Sequence, residues 1–224
     1  MSRVCCISDL HGYLPEDIEP CDIVLICGDI SPLRIQFKTN QIYDWLNNEF
    51  KPWAFSLPCK KVLFIPGNHD AFFESRYNKA KELFPNEDKV TYLCDELYEF
   101  EGIKIWGTPY CKKILGIWSF MRYSSDLKKH FDLIPEGIDI LMTHDAPYGV
   151  SDIILQEMPW NDGGHKGNLE LREAILEKSP KYNVHGHLHS ASHEFERLED
   201  TMVINCSLKD ENYEITYNPI YFDF

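Results

Sequence analysis

The run Lys61-Val62-Leu63-Phe64-Ile65-Pro66-Gly67-Asn68-His69-Asp70 joins a strand-forming stretch to a turn that carries an amide, an imidazole and a carboxylate. A short run that is apolar almost throughout reads as a strand covered on both faces. Pro-Gly then stops it. The same order recurs along the chain. Arg3–Ser8 is followed by Asp9-Leu10-His11, and Asp22–Cys27 by Gly28-Asp29. Ile138–Thr143 ends at His144, and Tyr182–His185 runs into Gly186-His187-Leu188-His189. Sites in open α/β sheets form beyond the carboxyl ends of strands, where loops from several strands converge. Five strand ends that each deliver Asp, Asn or His are not a product of core packing alone.

Outward from these runs, Lys104–Trp106 reads as a further strand. Ile42, Trp45, Leu46 and Phe50 recur at helical spacing between two strands, and Asn168 is placed to cap a helix with Leu171, Ala174 and Ile175 on one stripe. Strand–helix–strand alternation over the first 70 residues predicts βαβ units. The last 35 residues alternate β-prone stretches, Glu194–Leu198, Thr201–Asn205 and Glu214–Tyr217, with turns. They predict C-terminal β-hairpins on an α/β architecture. With no repeat, low-complexity tract or Ser/Gly-rich linker, residues 1–224 read as a single domain.

The chain holds 22 Lys+Arg against 36 Asp+Glu, a formal charge of −14. Its 44% hydrophobic and 26% charged content is that of a globular protein and excludes a disordered or fibrous one. No apolar run approaches the ~20 residues of a membrane span. The acidic balance argues against a non-specific grip on long nucleic acid or an anionic membrane. Met1-Ser2-Arg3 leads straight into a short apolar run and then Asp9, which does not read as a secretory leader. A cytoplasmic location is the expectation, with the eight cysteines (5, 6, 21, 27, 59, 94, 111 and 206) as reduced thiols. Cys5, Cys6 and Cys27, inside strand runs, read as small hydrophobes.

Mixed carboxylate, imidazole and amide ligands suit Mn²⁺, Fe or Zn²⁺ and fit poorly with a soft thiolate site. If strand geometry persists, Asp9 and His11, two apart, project to one side. Asp29 offers two oxygens and can bridge two cations. His187 and His189, again two apart, can reach different members of one metal pair. Two metals ~3.5–4 Å apart can hold a hydroxide and clamp a phosphoryl group for in-line displacement.

Asp-x-His, Gly-Asp, Gly-Asn-His-Asp, a lone His after a strand and Gly-His-x-His, in this order from Asp9 to His189, resemble the calcineurin-like metallophosphoesterase superfamily. The resemblance implies a β-sandwich of mixed sheets flanked by helices, and two divalent metal ions, Mn²⁺ first among the candidates. By the same resemblance one metal takes Asp9, His11, Asp29 and His189, and the other shares Asp29 and takes Asn68, His144 and His187. His69 matches the family's non-ligand histidine, a general acid for the leaving oxygen. The implied activity is hydrolysis of a small phosphoester by metal-bound hydroxide. Against two carboxylates, two divalent cations leave the cluster net positive, so an anionic substrate is compatible with an acidic chain.

Protein Ser/Thr phosphatases of the superfamily carry Asp-Arg-Gly after the second block and an Arg before Gly-Asn-His. Ile30-Ser31-Pro32 and Pro66 stand there instead, which argues against that subgroup. Small phosphodiesterases, cyclic-nucleotide-type enzymes among them, and broad phosphomonoesterases remain. A diester is mildly preferred because no extra Arg or Lys sits at the motifs to neutralise a dianion. The alternative from another class is a non-catalytic metal-binding or scaffold protein on the same fold.

Residues beside the motifs have plainer readings. His185, Asp70 and Asp145 are candidates for support of the ligands or for ordinary packing and turns. His130, His165 and His193 read as surface or turn residues. Trp118, Phe120 and Tyr123 could stack on a ring, with core packing the simpler expectation. Residues 161–168 are Gly-rich but lack phosphate-loop spacing, and read as a loop and helix cap.

Overall fold

In the computed structural model, which describes residues 1–224, the apolar runs form strands covered on both faces. β1 (Arg3–Ile7), β2 (Ile23–Cys27), β3 (Lys61–Ile65) and β4 (Val90–Tyr92) lie parallel in one sheet. β13 (Ile220–Asp223) adds antiparallel to the free side of β1. The second sheet runs in the order β11 (Glu196–Leu198), β12 (Thr201–Asn205), β10 (Tyr182–His185), β9 (Ile140–Thr143), β6 (Ile103–Thr108) and β5 (Glu96–Phe100). Its four middle strands are parallel and its two margins antiparallel. β7 (Cys111–Lys112) and β8 (Met121–Arg122) pair apart from both as a small ribbon.

Side-chain alternation explains why the strands are apolar at nearly every position. Val4, Cys6, Ile23, Leu25, Leu63 and Ile65 face inward and meet Ile105, Ile140, Met142, Val184 and Ile204 of the second sheet. Their neighbours Cys5, Ile7, Val24, Ile26, Val62 and Phe64 face outward, under helices. Those helices are α1 (Thr39–Trp45), α2 (Lys51–Ser56), α3 (Ala71–Ser75) and α4 (Tyr77–Leu83). A π-helical turn, Leu46–Phe50, links α1 to α2 just before Pro52, whose ring and missing N–H disfavour a regular turn. Ile42, Trp45, Leu46 and Phe50 are all buried there, as their spacing predicts. On the far side, α5 (Ser124–Phe131) and α6 (Leu169–Lys178) cover Trp106, Leu141 and Val203. Asn168 caps α6, its Oδ1 accepting from the Leu171 N–H at 3.1 Å. The result is a β-sandwich of mixed sheets flanked by helices.

The tail differs from the sequence expectation. β11 and β12 form one hairpin, but Glu214–Tyr217 joins neither sheet and holds a single bridge, Ile215 to Lys209. Asp210 organises that segment as a turn, accepting from the N–H groups of Asn212 and Glu214 at 2.9 and 3.0 Å. The sheet is completed instead by β13. No helix is long and apolar enough to cross a membrane.

Candidate metal centre

The carboxyl ends of β1, β2 and β3 supply Asp9, Asp29, Asn68 and His69. Those of β9 and β10 supply His144, His187 and His189. Strand geometry does not persist through Asp9 and His11, because β1 ends at Ile7, yet the two side chains still share a donor group. Asp9, His11, Asp29 and His187 all adopt left-handed backbone, with φ of 56°, 44°, 52° and 68°. Such conformations cost of order 1–3 kcal/mol each and persist only where the surroundings impose them. Here the first two loops are laced together. Asp9 and His11 donate their N–H groups to the carbonyls of Gly28 and Asp29 at 3.0 and 2.8 Å. The buried Asp70 carboxylate accepts from the N–H groups of Ile30, Ser31 and Gly67 at 3.1, 2.9 and 2.8 Å, tying the second loop to the third. At Gly67 a Cβ would overlap the Asp29 carboxylate and His144 Nε2, so the approach requires glycine.

Three donor groups result, Asp9–His11–His189, His11–Asp29–His69 and Asp9–Asp29–His144, each with its ligand-capable atoms within 4.8 Å. His189 Nε2 lies 3.3 Å from Asp9 Oδ1 and 3.4 Å from His11 Nε2. His144 Nε2 lies 3.4 Å from Asp29 Oδ1 and 3.1 Å from Asn68 Oδ1. Asp29 stands between, with Oδ2 3.7 Å from His11 Nε2. Its two oxygens thus face the two halves of the cluster. His187 sits at the margin, its ring centroid 5.1 Å from that of His144 and its N–H 3.1 Å from Asp9 Oδ2.

Hydrogen bonds on the outer side set the imidazole tautomers. His144 Nδ1 donates to the Cys27 carbonyl at 2.7 Å and His189 Nδ1 to that of Asp210 at 2.9 Å. Both Nε2 atoms therefore turn their lone pairs toward carboxylates, acceptor against acceptor. No lysine or arginine pairs with Asp9 or Asp29, both buried, and His11 Nδ1 has no partner. A buried cluster of acceptors with no internal cation fits divalent metal ions, and the hard and borderline donors suit such ions.

Without metal, protons take that place. Burial penalises the charged form of His144, yet Asp29 outweighs it and raises the pKa to about 10. Asp9 does the same for His189, to about 9. His11 and His187, where burial prevails, fall to about 3 and about 4. Asp29 is held well below the usual carboxylate range, burial being overcome by His144 and His69.

His69 stands at the rim. Its Nδ1 donates to Gln36 Oε1 at 2.7 Å, its Nε2 is 3.9 Å from Asp29 Oδ2, and the Trp118 ring centroid is 4.6 Å away. His185 is buried outside the cluster, with Nε2 unpartnered and burial pushing its pKa down to about 4. Asp145 braces loops through Lys112 N–H and Asn168 Nδ2 at 2.7 and 3.0 Å. His130, His165 and His193 bond to Asp95, Asp152 and the Ser207 carbonyl, away from the donor groups. Of the three aromatics, Phe120 is core, Tyr123 is exposed, and Trp118 lines a cavity of ≈ 430 Å³ beside the cluster.

Four residues at this site were not legible in the sequence. Gln36 orients His69, Lys112 and Lys166 enter the cavity wall, and Tyr213 packs its ring against His11 and His189. None follows a strand, so periodicity and motif spacing carry no signal for them.

The chain is 34% identical to a UPF0046 protein of Caenorhabditis elegans over 99% of its own length and 80% of the relative's. It is 27% identical to human metallophosphoesterase domain-containing protein 1, covering 99% of itself and 71% of that protein. Its fold is similar to that of a phosphopantetheinyl hydrolase from Mycobacterium tuberculosis, with a TM-score of 0.57, 13% identity and coverage of 94% and 90% of the two chains. Residues 2–191 match the calcineurin-like phosphoesterases, and with all five blocks in place at the ends of the sandwich strands the chain belongs to that family of metal-dependent phosphoric ester hydrolases.

Proposed function

We propose that the chain hydrolyses a small phosphoester, a diester in preference to a monoester, at a dinuclear site formed by Asp9, His11, Asp29, Asn68, His144, His187 and His189. The observation that carries the reading is the pair of buried carboxylates faced by imidazole lone pairs with no lysine or arginine between them. Two divalent cations, Mn²⁺ foremost and otherwise Fe or Zn²⁺, would supply Lewis acidity and a nucleophile from water near neutral pH. Asp29, with an oxygen toward each half of the cluster, would be a ligand common to both. Cys27 and Asp210, through their carbonyls, hold the His144 and His189 rings in ligating orientation. Gln36 accepts from Nδ1 of His69 and so fixes the ring with Nε2 toward the cluster, from where the protonated ring would give its Nε2 proton to the departing oxygen. Trp118 lies against that ring and screens it from water.

Charge balance supports the diester. On the cavity wall Lys112 and Lys166 are matched by Asp145 and Glu211, so the wall offers no surplus positive charge for a dianion. The test is turnover of bis(4-nitrophenyl) phosphate and 4-nitrophenyl phosphate by Mn²⁺-loaded protein, with metal content measured alongside. Hydrolysis of the diester, and loss of both metal and turnover in Asp29→Asn and His189→Ala, is the expected result. A loaded protein inert on both esters overturns the hydrolase reading, and faster turnover of the monoester overturns the preference.

A further inference from the structure

The cavity beside the cluster has a polar floor and an apolar outer wall. Asp29, Asn68, His69, His187 and His189 form the floor. Ile114 and Trp118 from the loop between β7 and β8, Ile154 and Trp160 from the segment after β9, and Leu188 form the wall. The charged groups among them are already engaged within the protein. Asp145 accepts from the N–H groups of Lys112 and Ala146 and from Asn168 Nδ2, at 2.7, 3.1 and 3.0 Å. Lys112 Nζ donates to the carbonyls of Lys166 and Gly167 at 2.6 and 2.8 Å, and Lys166 pairs with Asp162. Glu211 accepts from the N–H and hydroxyl of Ser190 through one oxygen, at 3.1 and 3.2 Å. The Trp118 indole N–H donates to the Leu115 carbonyl at 3.2 Å. Left over are the Trp160 indole N–H, the second Glu211 oxygen and the Tyr213 hydroxyl, the last two on the C-terminal turn beside His189.

A nucleobase or sugar brings several donors and acceptors, and a site that cannot match them buries them unpaired. An alkyl or aryl group asks only for apolar area. That area continues past the cavity mouth. In the loop that connects β7 to β8, Leu115 and Ile117 are 97% and 93% exposed, and Trp160, also on the cavity wall, is 56% exposed. Ile114 carries this segment into the cavity wall, so Leu115 and Ile117 extend the apolar lining outward by adjacent residues of the same loop. Three aliphatics on one short loop fall short of the ~800 Å² per partner of a stable protein interface, which disfavours a second copy as the occupant. We propose that the alcohol portion of the substrate is apolar, an alkyl or aryl group lying on the Ile114–Ile117 loop and Trp160, and not a nucleoside or sugar. The proposal rests on the phosphoesterase reading above. Polarity follows the same line, with the phosphate toward the Asp and His donors of the floor and the apolar chain over Leu115 and Ile117.

Two measurements on the Mn²⁺-loaded protein test it. One is calorimetric binding of methylphosphonate, butylphosphonate and octylphosphonate, with adenosine monophosphate as the nucleoside comparison. The other is kcat/KM on methyl, butyl and octyl 4-nitrophenyl phosphates. Octyl should exceed methyl by roughly tenfold or more in both, since each buried methylene adds to affinity. In Leu115→Ser/Ile117→Ser that ratio should fall to about twofold, because the tail loses its apolar track. Equal binding of methyl and octyl, or tighter binding of the nucleotide than of octylphosphonate, overturns the proposal. So does a wild type whose sedimentation mass doubles through this loop with no chain-length dependence. If no ester turns over while binding still rises with chain length, the hydrolase reading fails and the preference for an apolar group stands.

Discussion

The ring of Tyr213 stands edge-on to His11 and His189, its centroid 4.9 and 5.3 Å from theirs, while the same turn offers the Asp210 carbonyl to His189. Tyr213 itself is left-handed, with φ 65°, and its N–H is held by Asp210 at 2.9 Å. The turn therefore steadies the Asp9–His11–His189 half of the cluster and not the His144 half. Removing such outer support typically costs about 10–100-fold in metal affinity. Tyr213→Ala should bind one Mn²⁺ much more weakly than the other in equilibrium dialysis, and Tyr213→Phe should restore both; equal weakening of the two ions would contradict this. His69 invites a kinetic prediction at the same scale. His69→Gln should keep its metal and lose about 10²–10⁴-fold in kcat on an alkyl ester, whose leaving oxygen needs a proton, and far less on a 4-nitrophenyl ester. Gln36→Ala should shift the same ratio more weakly.

At the scale of elements, the site is made by loops rather than by the strands that lead to them. Asp70 gathers three N–H groups from two loops without belonging to a donor group. In Asp70→Asn an amide NH₂ would face donors, leaving buried N–H groups unpaired at about 1–3 kcal/mol each. Urea unfolding should register that loss, and metal titration a weaker affinity, although residue 70 ligates nothing. Gly67→Ala should abolish metal binding outright, since its methyl occupies the space of Asp29 and His144. Strand runs such as Lys61–Ile65 were legible because burial on both faces leaves a continuous apolar signature. β13 was not, because Ile220–Asp223 is only half-buried and its strand character comes from pairing with β1. The Glu214–Tyr217 run failed for the opposite reason: a β-prone composition yielded to the hydrogen bonds of the Asp210 turn.

Across the whole molecule, the cluster joins the two sheets, Asp9, Asp29 and Asn68 coming from one and His144, His187 and His189 from the other. Metal removal should accordingly be felt as stability. In the metal-free protein His11, His185 and His187 stay neutral at pKa values of about 3, 4 and 4. The unfolded chain protonates them below about 6.5, so stability falls as pH drops beneath that value. His144 and His189, at about 10 and 9, hold protons that the unfolded chain has released by then. Their contribution is complete below about 6.5 and disappears as pH rises through 9 to 10. Calorimetry after chelation should therefore show a Tm maximal near pH 6.5 and declining on both sides. A metal ion bound by these two rings would have to displace the two protons, so the gain in Tm on Mn²⁺ loading should grow from pH 6.5 to 9; a metal-free Tm that climbs steadily to pH 9 would contradict the assignment.

Residue types and their order determined the family of chemistry. Five strand ends carry Asp, Asn or His, and a parallel sheet brings such ends to one edge whatever the loops do. That is why Asp9, Asp29, Asn68, His144 and His189 could be named from sequence, and why an overall charge of −14 did not exclude an anionic substrate. Only the tertiary structure decided that Asp9 and His11 reach the cluster through left-handed turns. It alone placed Gln36, Lys112, Trp118 and Tyr213 around the cavity. The physical reason is range. Strand and helix patterns follow from burial of near neighbours, whereas the wall of the site comes from loops whose positions depend on two sheets packing face to face.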